Sequence, residues 1–352
     1  VRLALIAALL LAGLLPGCHD NGSSVQKTLN AFGSEVQIEI RGGSREHADA
    51  TIAAAAKLLD ARDREWHAWR ASDLTRINAA LRSGSSAQAP PSLLRLVRLS
   101  QDYASRSGGL YDPSVGGLVE LWGFHTSEYP VRTPAPSLTQ VEQWRQRHAR
   151  MADVRIEGDR IASRNPAVQL DFNAIVEGVA ADEIAALFRR NGIRHALISM
   201  GGDIYALGDG DGHAWEVGMR DPYGGALGRV ELGDGEAFYS SGSYNKFRES
   251  ANGGRWGHIL DPRTGMPARG AAAAAVLHRD PILADVASTS LMVGGPAGFQ
   301  RLVQQLQLGC ALMVTEENEL LITAAMQQRM RFLRQPISLG APLDMGPACS
   351  PR

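Results

Sequence analysis

Two stretches of the chain carry residue types that could do chemistry on a phosphate. In Ala284-Asp285-Val286-Ala287-Ser288-Thr289 a carboxylate and a hydroxyl stand four residues apart, so a helix would stack Asp285 and Thr289 on one face. Such a pair can reach one hard cation, and Mg2+ is commonly held by one or two carboxylates plus waters and substrate phosphates. The same spacing also describes an exposed aspartate near a helix start, answering the helix dipole. In Gly257-His258-Ile259-Leu260-Asp261-Pro262-Arg263-Thr264-Gly265 the turn needs the Asp-Pro and the glycine, but not the histidine. A neutral His258 imidazole beside a metal-bound phosphate could take a proton from an attacking hydroxyl. The plainer alternative is a strand ending in a tight loop, with His258 facing solvent.

Three further stretches offer support. "LDFNAIVEG" leaves a strand and enters a helix, so its carbonyls can point outward and the helix start can face an anion. Gly201-Gly202, followed by Asp203, breaks a strand where a ligand or another backbone could approach closely. Ser240, Ser241 and Ser243 surround Gly242, either as donors to phosphate or as an ordinary polar loop. There is no Walker lysine motif and no GxGxxG, so neither a P-loop nor a Rossmann dinucleotide site is supported.

The elements that must position these residues are mixed. "SEVQIEI" alternates and predicts a first strand; "HADATIAAAAKLLDARDREWHAW", "PPSLLRLVRLSQDYASRSGG" and "SLTQVEQWRQRHARM" predict helices. "AVQLDF" predicts a strand, "AIVEGVAADEIAALFRRNG" a helix, and "HALISMGGDIYALG" two strands around the glycine pair. "WEVGMRDP", "GRVELGD" and "EAFYSSGSY" predict short antiparallel strands. "ILADVASTSLMVGG" and "PAGFQRLVQQLQ" predict helices, and "CALMVTEENELLITAAM" a hairpin turning near Glu317-Asn318. Without a regular βαβ rhythm the fold class is α+β, with mixed, largely antiparallel sheets and packed helices.

The 352 residues suffice for a sizeable core, with 44% hydrophobic residues and a formal net charge of −1. Near-neutral charge argues against a protein that coats nucleic acid. Residues 1–17 have the layout of a secretory signal peptide, and Leu15-Pro16-Gly17-Cys18 resembles a bacterial lipobox. Cleavage there would leave Cys18 as the lipid-bearing first residue, anchoring the protein to a membrane without spanning it; the alternative is an ordinary cleaved signal. Residues 18–30 then read as a tether, residues 31–335 as the functional domain and residues 336–352 as a Pro-rich tail. Cys310 lies in an apolar strand and Cys349 in that tail; Cys310 reads as a small core residue, and a disulfide between the two is open in an oxidising compartment.

Read in order, "AFGSEVQIEI", "SDLTRINAA", "GGLYDPSVGGLVELWGF", "LDFNAIVEGVAADEI", "SMGGDIYALG", "WEVGMRDP", "YSSGSYNKF", "HILDPRTGMPA" and "ADVASTSLMVGG" resemble the ApbE family of flavin transferases. The resemblance spans nearly all of the chain beyond the signal. It implies an ApbE-like, T-fold-like domain that uses Mg2+ to transfer FMN from FAD to a threonine or serine of an acceptor flavoprotein, releasing AMP. The acceptor it implies is a membrane respiratory subunit with a periplasmic domain, which suits a lipid-anchored protein facing the periplasm; no nucleic acid is involved.

The resemblance also implies residue roles. Metal oxygens come from Asp285, Thr289 and the Ala174 carbonyl. FAD contacts come from Leu110, Tyr111, Asp112, Asp171, Glu177 and Ile259. Phe32 takes the place of a methionine against the flavin, Trp69 matches an aromatic on its other side, and His258 is the proton-handling group. Glu177 stands where many members have lysine, and Asn173 and Val176 depart from the commoner small residues. Two other functions use the same site: hydrolysis of FAD to FMN and AMP, and flavin binding without catalysis in an assembly lipoprotein.

Overall fold

A computed structural model of the chain describes residues 24–249, 254–334, 337–346 and 348–349. The signal peptide and Cys18 lie outside the described residues. Its centre is a nine-stranded sheet. In spatial order the strands are Ser24–Ala31, Ser34–Arg41, His195–Met200, Asp203–Leu207, Ala237–Gly242, Ala271–His278, Cys310–Thr315, Glu319–Ile322 and Ile337–Ser338. Neighbours are antiparallel except for the last pair, which is parallel. The sheet is therefore largely antiparallel, as the sequence implies.

Helices α1 (Arg45–Trp66), α2 (Asp73–Arg82), α3 (Pro91–Arg106), α4 (Gly116–Leu121), α5 (Leu138–Arg145), α6 (Val176–Arg190), α7 (Pro281–Gln305) and α8 (Ala324–Arg329) pack around it. The key element is α7. Its start is fixed by Asp280, whose carboxylate accepts from the Ile282 and Leu283 N–H groups, and by Pro281 at the first position. Gly295, at φ 61°, breaks the run just before Pro296, so the two helices expected from sequence meet end to end there. By length and composition α7 alone among the described helices could cross a membrane, but 78% of its apolar window is buried inside the fold. It is apolar because it lies across the sheet, against the run of small residues Ala271–Ala275.

The opposite face of the sheet is roofed by a three-stranded sheet formed from Trp215–Arg220, Ala226–Leu232 and Met330–Phe332. Trp215, Val217 and Met219 point inward while Glu216, Gly218 and Arg220 point out, the period of two that a half-buried strand requires.

Four expectations need correction. The tether does not run to residue 30, because Ser24–Ala31 pairs along its whole length with Ser34–Arg41 and buries Val25 and Ala31. The Pro-rich tail is part of the fold: Ile337–Ser338 extends the sheet, Leu343 bridges Thr323, and Cys349 forms a disulfide with Cys310. "AVQLDF" is not a strand; the Asn78 side chain, from α2, bonds both Leu170 N–H and its carbonyl, leaving only one bridge to Val115. The helix expected through residue 151 ends at Arg145, and His148 turns left-handed at φ 51°.

The disulfide joins residues 39 apart. By chain entropy a loop of that size stabilises the folded state by about 4 kcal/mol. Cys349→Ser is expected to lower the free energy of unfolding by about that amount, measured in urea, with a reductant lowering the natural protein to the same midpoint.

Candidate active site

The catalytic, FAD-contact and metal-holding residues that the resemblance implies all line one cleft of about 600 Å³. The floor comes from three places far apart in the chain. Helix α7 brings Asp285 and Thr289, α6 and the loop leading into it bring Glu177 and Ala174, and the Gly201-Gly202 turn brings Asp203. Asp285 is buried, which removes the reading of an exposed aspartate. Its Oδ2 accepts from the Gly178 N–H at 2.9 Å. Ser241 Oγ lies 2.8 Å from Ser288 Oγ and 3.2 Å from Thr289 Oγ1, and Ser288 donates to the Asp285 carbonyl at 2.9 Å. Ser34 Oγ donates to Glu177 Oε1 at 2.8 Å, and the Ser240 N–H donates to Asp203 Oδ1 at 2.7 Å.

The electrostatics of this floor are unfavourable without a cation. Burial pushes the Asp285 carboxyl well up, and the Glu177 charge adds to it, while the Gly178 N–H opposes. Asp203 is pushed well up by burial, then by Glu177 and Asp285. Glu177 is raised by burial, with Ser34, Lys246 and a hydrogen bond shared with Asp203 pulling it back. Carboxyls this close cannot all ionise in a buried place at no cost.

Close packing sets where Asp285 sits. A Cβ on Gly178 would meet the Pro281 carbonyl oxygen at 2.7 Å, Ile282 Cα at 2.9 Å and Asp285 Cβ at 3.1 Å. Only glycine lets α6 approach α7 this closely. Gly178→Ala is expected to cost about 1–3 kcal/mol of stability, read as a lower thermal midpoint, and to displace Asp285.

His258 follows the short strand Arg255–Gly257 and opens onto the cleft, its side chain half-buried. Its backbone N–H and Nδ1 both face the Lys246 carbonyl oxygen, at 3.0 and 3.2 Å. A carbonyl only accepts, so Nδ1 carries the proton and Nε2 keeps its lone pair. Burial and then the Lys246 ammonium push the imidazole down to about 4, so it is neutral at pH 7. The following turn holds it there: the Gly265 N–H bonds the Asp261 carbonyl at 2.8 Å, and Arg263 clasps the Asp261 carboxylate. Gly265 is required, since at φ 71° a side chain is strained and its Cβ would meet Val141 Cγ1 at 2.8 Å.

The walls are aromatic and apolar. Phe32 adopts the left-handed φ of 55°, donates its N–H to Asp63 and stacks on Trp66 with centroids 5.7 Å apart. Trp69, Leu110 and Ile259 line the same cleft. Two expected ligand contacts also bond within the protein. The Asp112 carboxylate accepts from the Ser114 and Met151 N–H groups, and burial raises it overall. Asp171 accepts from the Asn173 N–H at 3.0 Å and meets His125 Nε2 at 3.1 Å. Tyr111 is almost wholly buried, its hydroxyl 2.9 Å from Ser100 Oγ.

Several cleft residues had no assigned role at the level of sequence: Asp203, Lys246 and Arg220 line the cleft, and His125 braces its wall. Asp203 and Lys246 lie inside the quoted motifs, but nothing local marks them as facing Asp285 or His258. The wall segment carrying Phe124 and Tyr129 is held by Arg248, a buried guanidinium that donates to the Trp122 and Thr133 carbonyls and to Thr133 Oγ1. Among the described residues no three His, Cys, Asp or Glu side chains are grouped as a metal cage.

An α+β fold with an oxygen-lined floor beneath aromatic walls is suited to a flat ligand that carries phosphate. The sequence profile of the ApbE family matches residues 32–314, and the chain belongs to that family. It is 36% identical over 329 residues to the FAD:protein FMN transferase of Rhodobacter capsulatus, covering 93% of this chain and 62% of that relative's length. It is 28% identical over 332 residues to the FAD:protein FMN transferase of Klebsiella pneumoniae strain 342, covering 90% and 92%. The crystal structure of the ApbE protein of Thermotoga maritima superposes with a TM-score of 0.78 at 24% identity, covering 88% of this chain and all of that one, a likeness of fold.

Proposed function

We propose that this protein transfers FMN from FAD to the hydroxyl of a threonine, or a serine, on an acceptor flavoprotein. The acceptor oxygen bonds to the flavin-side phosphorus, the bond from that phosphorus to the bridging oxygen breaks, and AMP leaves with the bridging oxygen. The hydroxyl proton passes to His258 Nε2, which the Nδ1–H bond to the Lys246 carbonyl leaves free. Holding acceptor and diphosphate together in line supplies much of the acceleration. The reading rests above all on Asp285, Thr289, Ala174 and Glu177 converging with His258 on one cleft of a dinucleotide's scale.

Mg2+ fits the floor. The donors there are all oxygens, and a cation would relieve the mutual repulsion that raises Asp285, Asp203 and Glu177. Asp285, Thr289 and the Ala174 carbonyl are the residues that would hold it. When bound it supplies charge neutralisation on the diphosphate.

Location belongs to the same proposal. Residues 1–17 act as a secretory signal, Cys18 carries the lipid, and the domain faces the periplasm beside its membrane-bound acceptor. The Cys310–Cys349 disulfide supports an oxidising compartment.

The test is incubation with FAD and Mg2+, with and without co-produced acceptor domains. FMN mass gained by the acceptor, with AMP in equal amount, is expected. FMN and AMP formed equally with or without acceptor would make the protein a hydrolase, and bound FAD with no AMP would make it a flavin carrier.

A further inference from the structure

The main cleft has a smaller neighbour of about 210 Å³, lined among others by Asn78, Arg82, His125 and Gln169. Trp69 lines both cavities, so its indole is part of the partition between them. No helix or strand holds Trp69, which lies in the turn between α1 and α2. Two imidazoles hold it instead. His67 meets it edge-on, with centroids 4.5 Å apart at 75°, and His125 lies nearly parallel to it at 5.2 Å and 17°.

Both imidazoles are themselves fixed. His67 Nδ1 accepts from the backbone N–H groups of Trp69 and Arg70, at 3.3 and 3.1 Å. His125 Nε2 lies 3.1 Å from Asp171 Oδ2, and the Asn173 N–H holds the other Asp171 oxygen at 3.0 Å. The His125 and Asp171 side chains are only 17% and 4% exposed. A continuous chain of contacts thus runs from the loop that leads into α6, through Asp171 and His125, to the indole. The second cavity makes this chain necessary, because without a ring behind it the indole has room to fall back.

We infer that His125, pinned by Asp171, is a positioning residue that fixes the plane of Trp69 and so sets how the cleft clasps the flat ring system of its ligand. The inference rests on the proposed function, in which that ring is the isoalloxazine of FAD. An indole that lines the cleft and is braced by a stacked imidazole is preorganised for offset stacking. His125 touches the indole, not the ligand, so its effect is on binding and orientation rather than on proton transfer.

The test is FAD binding by the full chain without acceptor, followed by equilibrium dialysis and by the visible circular dichroism that a flavin gains when held in one orientation. His125→Ala is expected to weaken FAD binding about three- to tenfold, the scale of one aromatic contact, and to remove most of the induced signal. His125→Phe, which keeps a ring behind the indole, is expected to restore most of both. Trp69→Leu is expected to match His125→Ala. Unchanged affinity and signal in folded His125→Ala would overturn the inference while leaving the proposed function standing. Equal losses in the Phe and Ala variants, with natural melting behaviour, would also overturn it, since ring shape would then be irrelevant. Failure of the natural protein to bind FAD at all would reject the proposed function and this inference with it.

Discussion

Asp285→Asn is expected to reduce FMN transfer by roughly three orders of magnitude, the effect of withdrawing several kcal/mol of charge stabilisation from a transition state. Asparagine keeps the shape and can still accept from the Gly178 N–H, so the α6–α7 junction should survive. Stability should move the other way from activity. The folded carboxyl is pushed above its ordinary value, chiefly by burial and then by Glu177. A carboxyl raised in this way favours the fold only while protonated, and that contribution is lost as pH rises above the usual carboxylate range. Asparagine cannot ionise and so escapes this loss, and the variant's melting temperature without Mg2+ should equal or exceed the natural one, by more as pH rises. Added Mg2+ should raise the melting temperature of the natural protein and leave the variant's where it was. A Mg2+-dependent shift of equal size in both proteins would place the cation elsewhere.

His258→Ala is expected to slow transfer by about 10²–10⁴-fold, the range for losing a positioned general base, while FAD still binds. The pH dependence sharpens this. The folded imidazole sits near 4 against an ordinary 6.5, lowered by burial first and the Lys246 ammonium second. A histidine depressed in the fold contributes stability that is present above 6.5 and is lost as pH falls toward 4. The natural protein should therefore lose stability between pH 6.5 and 4 more steeply than His258→Ala. The same depression leaves Nε2 unprotonated across the neutral range, so kcat should show no His258 limb near 6.5. Lys246→Met removes the cation that helps to depress it, and should move the acid limb upward. An acid limb already near 6.5 in the natural protein, and unmoved by Lys246→Met, would mean that another group handles the proton.

Much of the candidate site was legible because local sequence carries local geometry. The Asp285–Thr289 spacing stacks two oxygens whenever that segment is helical, and Asp280-Pro281 starts the helix just ahead of it. Gly201-Gly202 makes the turn between two strands, and Asp261-Pro262 with Gly265 makes the turn after His258. The motif order was enough to name the family that the profile match bears out. Less legible was anything whose partner lies far along the chain. Nothing near Asp171 indicates that it faces His125, 46 residues earlier. Nothing in the run Ser24–Asn30 reveals that it pairs residue for residue with Glu35–Arg41 as the edge strand of the sheet.

The sequence by itself determined the mixed α+β class, the positions of its turns and helix starts, and the residue types available for phosphate chemistry, because these depend on side-chain period, backbone freedom and capping within a few residues. Only the tertiary structure decided the charge states. Asp285 receives its hydrogen bond from Gly178, 107 residues away, and has Glu177 and Asp203 as acidic neighbours. His258 owes its tautomer to a carbonyl 12 residues away, and its neutrality to burial. Desolvation and Coulomb interactions depend on distance in space, and the fold sets that distance.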